Sequence, residues 1–256
     1  MFLYKYLTKQ KATDWLIGKE AILLTPALYL NDVLEFRVRR ERADDEELRA
    51  MYDRFHEEAP SANTFEQWKE RVTSEGFRYR EHEDMRNYLS GVFGVISLTA
   101  HPLSELMWAH YCLNSGVAVG YKAADETGQD GMTARFLPFG VEVTFQVSYE
   151  DSVPPVSKDF SNVSHVLTRK RKCWEYEAEW RMIQKLADAT KHPDGRKTYY
   201  SVPARRDAIK HVIFGVNADA DFKSKMVEWL GDSSAHVQCV AIDPDSLTFR
   251  LDDYQP

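Results

Sequence analysis

Cysteine is scarce in this chain: Cys112, Cys173 and Cys239 are the only three, and no two of them form a CxxC pair. A scattered, odd set fits a reducing compartment and offers zinc no closed ligand set. Long apolar runs are also missing. The opening "MFLYKYLTKQKATDW" has no apolar stretch of signal-peptide length, and no window approaches the roughly 20 residues of a membrane span. These absences predict a cytoplasmic protein with no membrane partner. No P-loop, GxGxxG, HExxH or GxSxG is present, and the eight histidines fall at no ligand spacing. Zinc hydrolysis and Ser-His-Asp chemistry are set aside on that ground, and no metal is expected. A net charge of −7 argues against a surface that coats nucleic acid, while leaving room for a local basic groove.

What the chain has is aromatic side chains, at 12%, on an otherwise ordinary globular composition. Its length suits one domain, 1–256, carrying an insertion at 37–90. Within that insertion the chain turns charged and helical. Asp44 with Glu47 forms a capping box ahead of Leu48, Met51, Tyr52 and Phe55 at helical spacing. Thr64 with Gln67 repeats the signal before Phe65, Trp68 and Val72, and Met85, Tyr88 and Leu89 mark a third helix. Outside it, strand patterns dominate: "FLYKYL", "VFGVISLT", "VAVGY", "AEWRMIQK", "TYYSVP", "HVIFGV", "HVQCVAI" and "LTFRL". "VEVTFQVSYE" alternates Val141, Val143, Phe145, Val147 and Tyr149 on one face. "SELMWAHYC" reads as a helix capped by Ser104, "FSNVSHVLTRKRKCW" as another, and a last helix centres on Phe222 to Leu230. The mixed order favours α+β.

Chemistry concentrates in "CWEYEAEWR". If a helix ends near Cys173 and a strand begins near Glu177, then Glu177, Glu179 and Arg181 share one strand face, leaving Glu175 solvated. Two carboxylates on one face repel unless a cation or a sugar diol lies between them. Such a pair suits an oxocarbenium-like centre, the charge that develops when a glycosidic bond breaks. The plainer reading pairs the glutamates with Arg181 and with Lys170 or Lys172 on a solvated face. A metal-dependent nuclease is a further alternative, with Asp32, Glu35, Glu177 and Glu179 around Mg²⁺ and Lys170 or Lys172 near the scissile phosphate. Trp108 and Tyr111 offer an aromatic wall for a planar ring, or equally core packing.

Taken in order, "LYKY", "LNDVLE", "LMWAHYCLNSGVAVGY", "VSYED", "KRKCWEYEAEWRMI" and "VIFG" resemble the bacterial family called domain of unknown function 2971. The likeness spans roughly residues 3 to 250, with Val33 standing where that family usually has proline. The resemblance implies a place in phage defence or abortive infection. The motif order is similar, more remotely, to ADP-ribosyltransferases. That second likeness implies a mixed or antiparallel two-sheet core with the helical insertion, and NAD as cosubstrate. Lys5 and Tyr6 would lie in the first motif, Ser97 and Thr99 with Trp108 and Tyr111 in the second, and catalytic Glu177 and Glu179 in the third. Tyr111 or Trp108 would stack on nicotinamide, and Lys5 or Arg181 would meet the pyrophosphate. ADP-ribose would pass to an unknown macromolecular acceptor, protein or nucleic acid. A non-catalytic sensor of a phage trigger, using the insertion as its contact surface, is the alternative from a different class.

Overall fold

The computed structural model describes residues 1–59, 62–124, 126–129, 132–136, 143–156 and 163–255. Its architecture is mixed α/β, built on a large, mostly antiparallel sheet. From one edge to the other the strands are Phe249–Asp253, His236–Ile242, Ile209–Phe214, Val117–Lys122, Phe2–Leu7, Phe93–Thr99, Glu179–Lys185, Val143–Gln146, Met132–Phe136 and Glu126–Gln129. Only Ile209–Phe214 and His236–Ile242 pair in parallel along this path. A side branch, Thr190–Asp194 with Lys197–Pro203 and Ala21–Pro26, joins the main sheet where Thr25 and Pro26 meet Val95 and Gly94. The expected two sheets are therefore connected into one branched network. No helix among the described residues is long and apolar enough to cross a membrane.

Strand alternation sorts the core onto two faces. Leu3, Leu7, Ile96, Leu98, Val119, Trp180 and Met182 belong to the main core with helix Ala220–Leu230. On the opposite face lie two smaller clusters: Tyr4, Tyr6, Met107 and Trp108 in one, Ala27, Phe36, Val95 and Val166 in the other. Ser104 caps helix Glu105–Cys112 as expected, and the buried residues of the helix are Met107, Trp108 and Cys112, with Tyr111 only partly buried. One sheet row is unusual. Glu179 pairs with Thr99, Thr99 with Tyr4, Tyr4 with Gly120, and Gly120 with His211. Gly120 opens a gap in that row, and across it the Tyr4 hydroxyl lies 2.9 Å from His211 Nδ1. A Cβ at Gly120 would lie 2.8 Å from the Tyr4 ring and 2.9 Å from His211 Cβ. Gly120→Ala is accordingly expected to lower unfolding free energy by about 1–3 kcal/mol, as overpacked cores do, measured by urea denaturation.

The insertion forms helices Asp45–Glu58, Phe65–Thr73 and Glu75–Val92, and both predicted capping boxes are present. Leu48, Phe65 and Trp68 make a small core of their own. Met51 and Phe55, expected on the buried stripe, are instead exposed.

Two other expectations are corrected. Among its described residues, the stretch read as one basic helix has helix only at Val163–Leu167, then a strand, Arg169–Arg171, then a 3₁₀ turn, Lys172–Glu177. The Arg169–Arg171 strand pairs in parallel with Ser148–Glu150, so hydrogen bonding to a distant segment overrides local helix preference. The alternating strand is broken at Val147 into Val143–Gln146 and Ser148–Glu150, while Val141 lies outside the described residues.

A buried charge cluster as the candidate functional site

Glu179 and Arg181 sit two apart at the start of strand Glu179–Lys185, so their side chains leave the same face. Arg181 binds Glu179 side-on: Nε donates to Oε1 at 2.8 Å and Nη2 to Oε2 at 2.9 Å. Glu177 reaches the same place by another route. Ala178, between them, adopts a left-handed φ of +40°, ending the 3₁₀ turn and swinging Glu177 inward. Alanine in this region costs on the order of 1–2 kcal/mol, which the ion pairs around it offset.

Lys170 stands at the centre. Its Nζ lies 2.6 Å from Glu177 Oε2, 3.2 Å from Glu35 Oε1 and 3.3 Å from Glu179 Oε2. Arg181 Nη2 also reaches Glu35 Oε2 at 2.5 Å, and Nη1 donates to the Leu167 carbonyl at 3.0 Å. All five charged residues are buried. The plainer reading thus had the partners of the glutamates right and their solvation wrong: Lys170 and Arg181 pair with them in the interior, while Lys172 is exposed. Glu175 is exposed, as expected.

The environment separates two of the carboxyls. Burial alone would raise the Glu179 pKa, but Arg181 and then Lys170 outweigh it and hold Glu179 down at about 2. Burial dominates at Glu35 and, with the nearby Glu179 charge, raises its pKa despite the same two cations.

Neighbours tie the cluster to the surface. Tyr111 donates its hydroxyl proton to Glu177, and exposed Asn31 donates to the Tyr111 oxygen at 2.6 Å. The Ser97 hydroxyl also serves Glu179, and the Glu179 backbone N–H donates to the Tyr149 hydroxyl at 2.7 Å. Trp174 and Tyr176 are half-buried, and the Lys170 ammonium lies 4.8 Å from the Trp174 ring. From the insertion, buried Arg86 donates to the carbonyls of Glu35 and Ala27 at 3.1 and 3.3 Å, which fixes the loop bearing Glu35.

The structure therefore gathers Ser97, Tyr111, Glu177, Glu179 and Arg181. It keeps four other expected residues apart from them. Trp108 is fully buried, with its indole N–H committed to the Pro102 carbonyl at 2.8 Å, so neither ring face is open to a ligand. Tyr6 packs edge-on against Trp108 and donates to the His101 carbonyl at 2.9 Å. Thr99 is buried, its hydroxyl accepting from the His101 backbone. Lys5 alternates onto the face of Leu3 and Leu7, and its ammonium donates to the Ser97 carbonyl at 3.1 Å. Burial, helped by Lys11, lowers the Lys5 pKa to about 8. A lysine lowered below its unfolded value of 10.5 costs stability wherever it is charged in both states, that is below pH 8. That cost fades as pH rises from about 8 to 10.5, since only the unfolded chain then holds the proton. Lys5→Met is expected to gain stability relative to wild type at neutral pH, with the gain shrinking across that window, read by urea denaturation in paired buffers.

Tyr149 and Asn31 were not singled out as partners of the glutamates by sequence reasoning, Glu35 joined them only in the nuclease alternative, and Lys170 was expected to pair with them on a solvated face. A glutamate between Leu34 and Phe36 is the one local sign that Glu35 is buried; Lys170 looked like part of a solvated basic run. Among the described residues, no three histidines, cysteines or carboxylates are arranged to hold a metal. Compared with known proteins, the chain matches no family model, no curated protein and no solved structure.

Proposed function

We propose that the buried cluster is the catalytic centre of an ADP-ribosyltransferase-like effector that uses NAD, in a bacterial defence or toxin setting. The observation that carries this reading is the gathering of Glu177 and Glu179 with Tyr111 and Arg181 in one buried cluster, both carboxylates in contact with the Lys170 ammonium at 2.6 and 3.3 Å. A carboxylate beside the scissile bond can stabilise the positive charge that develops as a glycosidic bond breaks, and a second can take a proton. The nicotinamide–ribose C–N bond breaks with its electron pair leaving on nicotinamide, and positive charge develops on the ribosyl carbon. Glu179 faces that charge. The acceptor's nucleophile then adds to the same carbon and gives its proton to Glu177. Lys170 has to release its contact with Glu179, the longest of its three, for the carboxylate to meet the sugar.

The defence setting rests on the motif resemblance alone. The nuclease reading is weaker, because the positive charge a divalent ion would bring is already supplied by Lys170, 2.6 Å from Glu177. The experiment is transfer of label from adenylate-labelled NAD to bacterial extract. Covalent labelling of a protein or nucleic acid is expected; no labelling in any fraction, together with no nicotinamide release, would sink the reading.

One observation favours a second, non-catalytic reading. Met51, Phe55, Tyr79 and Tyr88 are all exposed on the insertion helices. A sensor that grips its partner through them predicts that charged substitutions there abolish function while Glu179→Gln leaves it intact.

A further inference from the structure

The side branch of the sheet turns one face to the main core, through Ile22, Leu24, Tyr200 and Val202. Alternation sends Lys197 and Tyr199 to its other face, with His192 directly opposite Tyr199. The π-helical turn Ala12–Ile17 lays Trp15 beside them, its ring 4.9 Å from that of His192, edge-on at 84°, and 5.6 Å from that of Tyr199. His192 is held in turn by the Ser201 hydroxyl, 2.8 Å from its Nε2. Two lysines complete the patch. The Lys19 ammonium lies 3.9 Å from the Trp15 ring centre, and that of Lys197 sits between two tyrosines, 4.2 Å from Tyr29 and 4.7 Å from Tyr199. Tyr29 is 50% exposed, Lys19 is exposed, and Trp15 and Tyr199 are partly so.

Among the described residues neither ammonium is ion-paired. Glu20, next to Lys19 in sequence, is paired with Arg206, and Lys197 turns to the two rings although Asp194 stands opposite it across the hairpin. A cation over an exposed ring is a weak contact and is readily exchanged. A phosphate draws each lysine off its ring, and the bared ring takes a base, whose stacking is stronger than the contact given up. Rings interleaved with cations therefore suit a chain of bases interleaved with phosphates. Duplex bases are already stacked on their neighbours, so the bases that fit are unpaired. We infer that Trp15, Tyr199 and Tyr29, with Lys19 and Lys197, form a platform for single-stranded nucleic acid. It is a local basic surface of the kind that a net charge of −7 leaves room for. It shares no residue with the buried charge cluster and does not depend on the NAD reading.

The test titrates the whole chain, by fluorescence anisotropy at low salt, against labelled oligothymidylate and oligouridylate about twelve nucleotides long, enough to cover a site of this kind. A duplex and an abasic strand of the same length are the controls. Either single strand is expected to bind at least about tenfold more tightly than both controls, and the tighter of the two tells DNA from RNA. Tyr29→Ala, at an exposed position that leaves the fold intact, is expected to weaken binding about five- to tenfold, as is Trp15→Leu with its fold checked by circular dichroism. Two phosphate contacts predict a slope of about −1.4 for the logarithm of affinity against that of salt, and Lys19→Gln with Lys197→Gln is expected to flatten it. Failure of both single strands to bind at low salt overturns the inference. So does equal binding of the abasic strand or the duplex, or binding untouched by both aromatic substitutions. Capture by vesicles of equal phosphatidylcholine and phosphatidylglycerol, with no oligonucleotide bound, overturns it as well and assigns the patch to a lipid surface.

Discussion

Arg181→Leu is expected to lower the unfolding free energy by about 3–5 kcal/mol, the range found when one partner of a buried ion pair is removed. Arg181 is fully buried and is bonded to Glu179, to Glu35 and to the Leu167 carbonyl. Without it, Lys170 alone faces three carboxyls, and its contacts with Glu35 and Glu179 are already the longer ones at 3.2 and 3.3 Å. A loss of that size is a large share of the roughly 5–15 kcal/mol that holds a domain folded. The same variant shows a pH signature. Arg181 is the larger of the two pulls that bring Glu179 down to about 2. A depressed carboxyl contributes stability that is full above its unfolded pKa of 4.5 and is lost as pH falls toward 2. The wild type should therefore lose stability steeply between those limits, and Arg181→Leu should lose less there, because its Glu179 is no longer held ionised. Urea denaturation from neutral pH to pH 3 reads both effects. A variant with wild-type stability would mean that the cluster is not the closed network described above.

Glu179→Gln carries the largest functional effect. The amide keeps the shape of the side chain and removes the charge that the transition state would meet. A loss on the order of 10²- to 10³-fold in NAD cleavage is expected, as for other preorganised electrostatic groups. The variant also loosens Arg181 and Lys170, so rates have to be compared at equal folded fraction. A purely structural Glu179 would lower stability and leave the rate per folded molecule unchanged. Tyr111→Phe is the useful companion, since it removes only the hydroxyl that donates to Glu177 and leaves the Glu179–Arg181 pair untouched.

Local signals in the sequence were read correctly where the physics is local. The capping boxes at Asp44 and Thr64 and the Ser104 cap each involve residues three apart, and all are present. Strand alternation placed Glu179 and Arg181 on one face, and the 2.8 Å bond between them follows from it. The centre of the site was hidden because its partners are remote. Glu35 meets Arg181 across 146 positions, and Arg86, far from either glutamate, holds the Glu35 backbone. The basic run misled for the same reason. Local propensity reads "TRKRKC" as solvated helix, whereas pairing with Ser148–Glu150 makes it a strand and turns Lys170 into the interior. The left-handed turn at Ala178 could not be foreseen either, as no glycine announces it.

On the proposed reading, Glu179 and its neighbours face a ribosyl cation. The measurement that tests it most directly is nicotinamide release from NAD, followed in wild type and Glu179→Gln at matched folded fraction with bacterial extract supplying the acceptor. Release by the wild type and a rate about 10²- to 10³-fold lower in the variant are expected. Equal release by both proteins, or none from a wild type that is folded and saturated with NAD, would contradict it.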